Sequence, residues 1–143
     1  MTTESRSSAE DVLDKLEIGM EESYSQTITD ADIKAFSGIS GDKNPVHMSD
    51  EYAEKSRYKK RIAHGLMSAG YFSAIFGTKL PGPGCVYVSQ SLKFTRPVYI
   101  GDTVTATVVI KSIDLKTRKI SFDTTCSVKG HAVIKGEAEI YLP

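Results

Sequence analysis

The sequence predicts an α+β domain in which a curved antiparallel sheet wraps around one long apolar helix. Three observations carry that expectation. Gly65 to Thr78 contains no charged residue, and a helix that is apolar all round is one enclosed by protein. From Cys85 onward the apolar period drops to two, in four half-buried runs with the spacing of an antiparallel meander. A strand-like run, Met20 to Ile28, precedes the helix and adds to the same sheet.

The chain has 143 residues, enough for one domain with a substantial core. Residues 1–17 read as a flexible tail and 18–143 as the domain, because Met1 to Glu10 is polar, rich in Ser and Thr, and has no apolar core of a signal peptide. Eighteen basic and eighteen acidic residues cancel, so no global field recruits nucleic acid or an anionic membrane. The longest uncharged run is too short to span a bilayer. Cys85 and Cys126 stand alone, without CxxC spacing, which fits buried free thiols in a reducing, cytoplasmic setting.

Asp11 to Leu16 has the pattern of a helical turn or two. Thr29-Asp30-Ala31-Asp32 has the form of a capping box, opening a helix that carries Ile33 and Phe36 and is expected to stop near Gly38. Ser49-Asp50-Glu51 repeats the signal for a short helix through Ser56. Pro81-Gly82-Pro83-Gly84 ends the apolar helix. In the strands that follow, Val86, Val88, Leu92 and Phe94 are expected on one face. So are Val104, Ala106, Val108 and Ile110, then Ile120, Phe122, Thr124, Cys126 and Val128, and last Ala132, Ile134, Ala138, Ile140 and Leu142.

The stretch Ser40-Gly41-Asp42-Lys43-Asn44-Pro45-Val46-His47 concentrates the chemistry. A carboxylate, an amide and an imidazole lie within six residues, with Gly ahead and Pro within. Asn44-Pro45 is a turn dipeptide, since Pro fixes its own φ and restricts the residue before it. A chain bent there can set Asp42 and His47 around one water; the plainer alternative is an Asx-type turn with a surface His. Asn44 either shapes the loop or touches substrate. The basic run Arg57-Tyr58-Lys59-Lys60-Arg61 is either a solvated face or a contact for anionic groups. His64 fits a backbone-bonded residue at a helix start, and His131 a solvated turn. With no HxH or HxxxH among the three histidines, no metal site is expected.

The run Phe36-Ser37-Gly38-Ile39-Ser40-Gly41-Asp42-Lys43-Asn44-Pro45-Val46-His47, followed by Ala53, resembles the hydratase motif of the MaoC-like, (R)-specific enoyl-CoA hydratases. Ala63-His64-Gly65-Leu66-Met67 is similar to the family's second landmark, at the start of its central helix. Gln90 to Val98, then Gly101-Asp102, is similar to its next strand and turn. The likeness covers Ile18 to the C-terminus.

This resemblance implies a single hotdog domain, commonly dimeric, with sites near the subunit interface. It implies Asp42 and His47 as the catalytic pair, Gly65 as the backbone amide that binds the thioester oxygen, and Ser73 and Phe76 along the acyl channel. A bulky Phe76 there implies a short acyl chain such as crotonyl. The activity implied is reversible hydration of a trans-2-enoyl-CoA. No cofactor is expected, coenzyme A being part of the substrate, and Lys59, Lys60, Arg61 and Lys93 are candidates for its phosphates. Two rivals remain. A hotdog thioesterase generally carries a carboxylate on the central helix, and Gly65 to Thr78 has none. A non-catalytic acyl-thioester-binding subunit usually shows an eroded pair, and here both members are present.

Overall fold

The computed structural model describes residues 11–143. Residues 1–10 of the expected tail lie outside the described part, and the rest of it is tied down. Asp11 accepts from the Leu13 amide and caps a 3-10 turn, Val12–Lys15. Leu13, 3% exposed, joins the hydrophobic core, and Arg118 pairs with Asp11 at 2.8 Å. The folded domain therefore begins at least as early as Asp11 and not at Ile18.

Strand β1, Glu21–Thr27, leads into helix α1, Asp30–Ser40. The capping box forms: Thr29 Oγ1 accepts from Asp32 N, and the Asp32 carboxylate accepts from Thr29 N, both at 3.1 Å. The helix passes the expected stop at Gly38. It ends where the left-handed conformation occurs, at Gly41 with φ +81°, whose N–H reaches Ser37 O at 2.9 Å.

Asn44-Pro45, expected as a turn, instead starts a one-turn helix, α2, Pro45–Met48. Asn44 Oδ1 accepts from Val46 N at 3.2 Å, and Pro45 takes the first helical position, where its missing N–H costs nothing. Ser49 then caps α3, Asp50–Glu54, by accepting from Tyr52 N.

Helix α4, Gly65–Thr78, lies against the sheet. Strands β2 (Val86–Gln90), β3 (Lys93–Phe94), β4 (Thr103–Asp114), β5 (Lys119–Val128) and β6 (His131–Tyr141) complete the sheet, in the order β1-β4-β5-β6-β2 with β3 also on β6. All pairs are antiparallel. Tyr71, Phe72, Ile75 and Phe76 of α4 pack on the alternating inner residues of β4 and β5, such as Val104, Val108, Ile120 and Phe122. This is the hotdog arrangement that the resemblance implies. Among the described residues no helix is long and apolar enough to cross a membrane.

Three expectations about faces need correction. Val133, rather than Ala132, is buried on β6, because the register shifts between Cys126 and Ser127 of its partner strand. The helix is also not enclosed all round. Leu66 is 60% exposed, and Gly70, Ser73 and Ala74 are exposed with it. On the edge, Val86, Val88 and Phe94 of β2 and β3 face outward instead of into the core.

The break between β2 and β3 has a local cause. Ser91 N donates to Glu137 O at 2.8 Å, and Glu137 N donates to Ser91 Oγ at 2.9 Å, drawing the link tightly across β6. A Cβ on Gly136 would overlap the Ser91 carbonyl oxygen, which is backbone and cannot step aside. Gly136→Ala is accordingly expected to lower unfolding stability by about 3 kcal/mol, read from urea midpoints at constant m. An unchanged midpoint would show that the link is free to move.

Candidate active site

Asp42 follows the αL glycine that ends α1, and its backbone is held from both directions. Its N–H donates to Ser40 Oγ at 3.1 Å, while its carbonyl accepts from Ser37 Oγ at 3.0 Å and from His64 Nε2 at 2.9 Å. The carboxylate accepts only the Asn44 N–H, at 3.1 Å, among the hydrogen bonds of the described residues, and the residue is exposed. Its free lone pairs face a cavity.

His47 rides on α2 and is 8% exposed. Its Nδ1 lies 2.7 Å from Ile62 O. A carbonyl only accepts, so Nδ1 carries the hydrogen, and the neutral ring presents a lone pair at Nε2. Arg61 Nε donates to the His47 carbonyl at 2.6 Å, and Arg61 Nη2 pairs with Asp30 at 2.6 Å, tying α2 to α1.

His64 stacks on His47, with ring centroids 3.9 Å apart and planes at 28°, and Phe36 packs against it at 4.9 Å. By the same reasoning its Nε2 carries the hydrogen that goes to the Asp42 carbonyl. Burial pushes the His47 pKa below its ordinary 6.5, and the neighbouring His64 adds to the effect. The Ile62 bond and the Asp42 charge oppose it without reversing it. His47 is therefore neutral, and basic, at neutral pH.

A cavity of about 440 Å³ opens here. Asp42, His47 and Gly65 all line it, with Phe94, Val98 and Ile134 as apolar wall. Gly65 opens α4, where backbone N–H groups lack helical partners and the helix dipole is positive. A Cβ on Gly65 would sit 2.5 Å from the Phe94 ring, so a side chain there would press into the cavity wall.

Other expected site residues fall elsewhere. Asn44 does not line the cavity; its side chain caps α2 and its amide holds the Asp42 carboxylate, which is the loop-shaping alternative. Ser73 lies exposed on the open face of α4. Phe76 is fully buried against Phe122 and Tyr87, at 4.8 and 5.2 Å, and borders no part of the cavity in a single chain. Arg61 is committed to Asp30 and His47, so it is not a free anion ligand. Lys59 and Lys60 border a separate pocket with Asp50 and Glu54, and Lys93 borders neither pocket.

Lining residues outside the expected site include His64, Ser68 and Arg96, while Arg57, from the basic run read as either a solvated face or an anion contact, also borders the cavity. His64 does bond backbone, as a helix-start His was expected to, but the backbone is that of Asp42. Packing also gathers ligand-type side chains that no spacing along the chain sets together. Asp42, His47 and His64 place one potential ligand atom each within 4.8 Å of one another. The rings meet through tertiary packing, which no local motif records.

A model of the MaoC like domain matches residues 14–132. The chain is 50% identical over 125 residues to an (R)-specific enoyl-CoA hydratase of Rhodospirillum rubrum, covering 87% of each chain. It is 43% identical to the 3-hydroxybutyryl-CoA dehydratase of Methylorubrum extorquens, over 90% of this chain and 82% of the relative. Among solved structures, the (R)-hydratase of Aeromonas caviae, described as involved in PHA biosynthesis, superposes with a TM-score of 0.87 at 34% identity. That match covers 90% of this chain and 98% of the other.

Proposed function

The chain belongs to the MaoC-like domain family, and from that premise and the cavity just described we propose that it is an (R)-specific enoyl-CoA hydratase, a hydro-lyase. The observation that carries the mechanism is that His47, whose Nδ1 is engaged by Ile62 and whose Nε2 is left free, lines the same cavity as Asp42.

Hydration of a 2-enoyl thioester needs an aimed, deprotonated water, a proton for C2 and a sink for negative charge. A water between His47 Nε2 and the Asp42 carboxylate meets the first need: both groups accept, so both of its hydrogens are held and its lone pair points at the substrate. As its oxygen bonds to C3, one proton passes to the pair and electron density moves onto the thioester oxygen. The Gly65 N–H at the start of α4 stabilises that charge. The pair then returns a proton to C2 on the same face, and the carbonyl re-forms. Every step uses groups of this chain, the water and the substrate, so the reading calls for no cofactor. Dehydration is the same path in reverse.

The acyl group is short in this reading. What supports it is the likeness to a relative named for 3-hydroxybutyryl-CoA, not Phe76, which lies away from the cavity. The carrier is coenzyme A. A cavity of about 440 Å³ holds the acyl thioester and leaves the nucleotide outside, where the exposed Arg57 and Arg96 offer charge for its phosphates. The place of action is the cytoplasm, consistent with two free thiols.

The protein acts as a homodimer in this account. Its β2 edge exposes Val86 and Val88, each at 45%, an apolar edge of the kind that natural sheets cover. The open face of α4 is equally free of charge.

Purified protein is expected to hydrate crotonyl-CoA to the R product, and octenoyl-CoA less efficiently. Asp42→Asn and His47→Gln should each lose roughly 10²–10⁴ in kcat while keeping the fold. The acid limb of kcat/KM should fall below pH 6.5, because protonation fills the His47 lone pair and its pKa is depressed. An S product, or near-normal rates in both variants, would overturn the mechanism. Sedimentation equilibrium should give a dimer that Val88→Lys dissociates; a wild-type monomer at micromolar concentration would remove the dimer.

A further inference from the structure

Ser68 is a polar residue for which the reaction above has found no use. It lies on α4, borders the same cavity as Gly65, and is 1% exposed. Its hydroxyl has no hydrogen-bond partner among the described residues. A helical serine ordinarily returns its hydroxyl to the carbonyl four residues back or gives it to solvent, and this one does neither. Buried polar groups are nearly always paired, so the orphan hydroxyl points to an acceptor that arrives with a ligand.

The direction of a helical side chain narrows what that acceptor is. Side chains on a helix lean toward its N-terminus and cover the turn before their own Cα. Ser68 therefore lies over the turn that Gly65 opens. Of the side-chain acceptors lining this cavity, Asp42 and His47 Nε2 are assigned to the water, and His64 Nδ1 is a third. The acceptor that a bound substrate adds beside the turn opened by Gly65 is the thioester carbonyl oxygen.

We propose that the Ser68 hydroxyl is a second donor to the thioester oxygen, beside the Gly65 N–H. This rests on the hydratase reading above. Two donors converging on one oxygen, from a backbone and a side chain a turn apart, hold the developing enolate in a fixed orientation relative to C2 and C3. The hydroxyl also accounts for a cost that the unliganded fold carries: a buried group left unpaired until substrate enters.

The other buried orphans do not compete for the role. The Tyr71 hydroxyl does not border the cavity. His64 Nδ1 is, by the tautomer derived above, an acceptor and not a donor. A water bridging that nitrogen to Ser68 is the alternative that the experiment separates.

The test compares wild type, Ser68→Ala and Ser68→Thr in crotonyl-CoA hydration, thermal unfolding, and the ultraviolet enolate band of bound acetoacetyl-CoA. Loss of one such donor lowers kcat roughly 10²–10³-fold. Ser68→Ala is expected to show that loss, with KM within a few-fold, a weakened enolate band and an unfolding temperature no lower than wild type. Ser68→Thr, which keeps the hydroxyl, should recover most of the rate. An alanine variant with a normal rate and enolate band would overturn the proposal, and a lowered unfolding temperature with it would assign the hydroxyl to a structural water. A wild type unable to hydrate crotonyl-CoA would instead remove the hydratase reading, and this proposal with it.

Discussion

The carbonyl of Ile62 sets the chemistry available to this molecule. By accepting from His47 Nδ1 at 2.7 Å, it fixes which nitrogen of a buried imidazole carries hydrogen. The other nitrogen is thereby left as a base. Burial and the stacked His64 keep that base neutral, and the carboxylate of Asp42 opens onto the same space. Reversing the tautomer would leave a donor facing the cavity and no lone pair for a water proton.

The rest of the fold keeps that arrangement in place. Ile62 forms an isolated bridge with Tyr99, and Ala63 N donates to Val98 O at 2.7 Å, so the segment ahead of α4 is stitched to the chain that follows β3. Arg61 secures the other side of His47, reaching from its backbone carbonyl to Asp30 in the first turn of α1. The Asp42 carbonyl receives two donors, one from α1 and one from the residue capping α4. Helix ends, short caps and one helix on a sheet thus converge on a few atoms. The large core of α4 against β4 and β5 supplies the rigid base, while the polar bonds above it set distances. Preorganisation of this kind lets a site act on a water without rearranging during the reaction.

Much of this was legible in the sequence because the signals were local. The capping box at Thr29, the cap at Ser49, the uncharged stretch of α4 and the period-two strands each depend on neighbours in the chain, and each formed. Asp42, His47 and Gly65, carried by local motifs, meet in one cavity. What could not be read depended on packing. His64 meets His47 face to face only because two helix starts are brought together. Arg61 looks like its basic neighbours in sequence, and its burial against Asp30 separates it from them. Val133 is buried because the pairing with β5 skips it, stepping from Ile134 to Ala132 across Cys126 and Ser127. Phe76 has the apolar character suited to a substrate channel, yet in a single chain the same character seats it against Phe122. The exposed apolar faces of α4 and β2 were hidden for a related reason: an apolar stretch does not reveal whether its own chain or another copy covers it.

The central claim is that a single water, held by Asp42 and His47, reacts on one face of the double bond, with the proton at C2 coming from the same pair. Running crotonyl-CoA hydration in deuterium oxide and determining the relative configuration at C2 and C3 tests it most directly. The account predicts that the deuterium and the new hydroxyl add to the same face. Anti addition, or a mixture at C2, would place the proton donor elsewhere and contradict it.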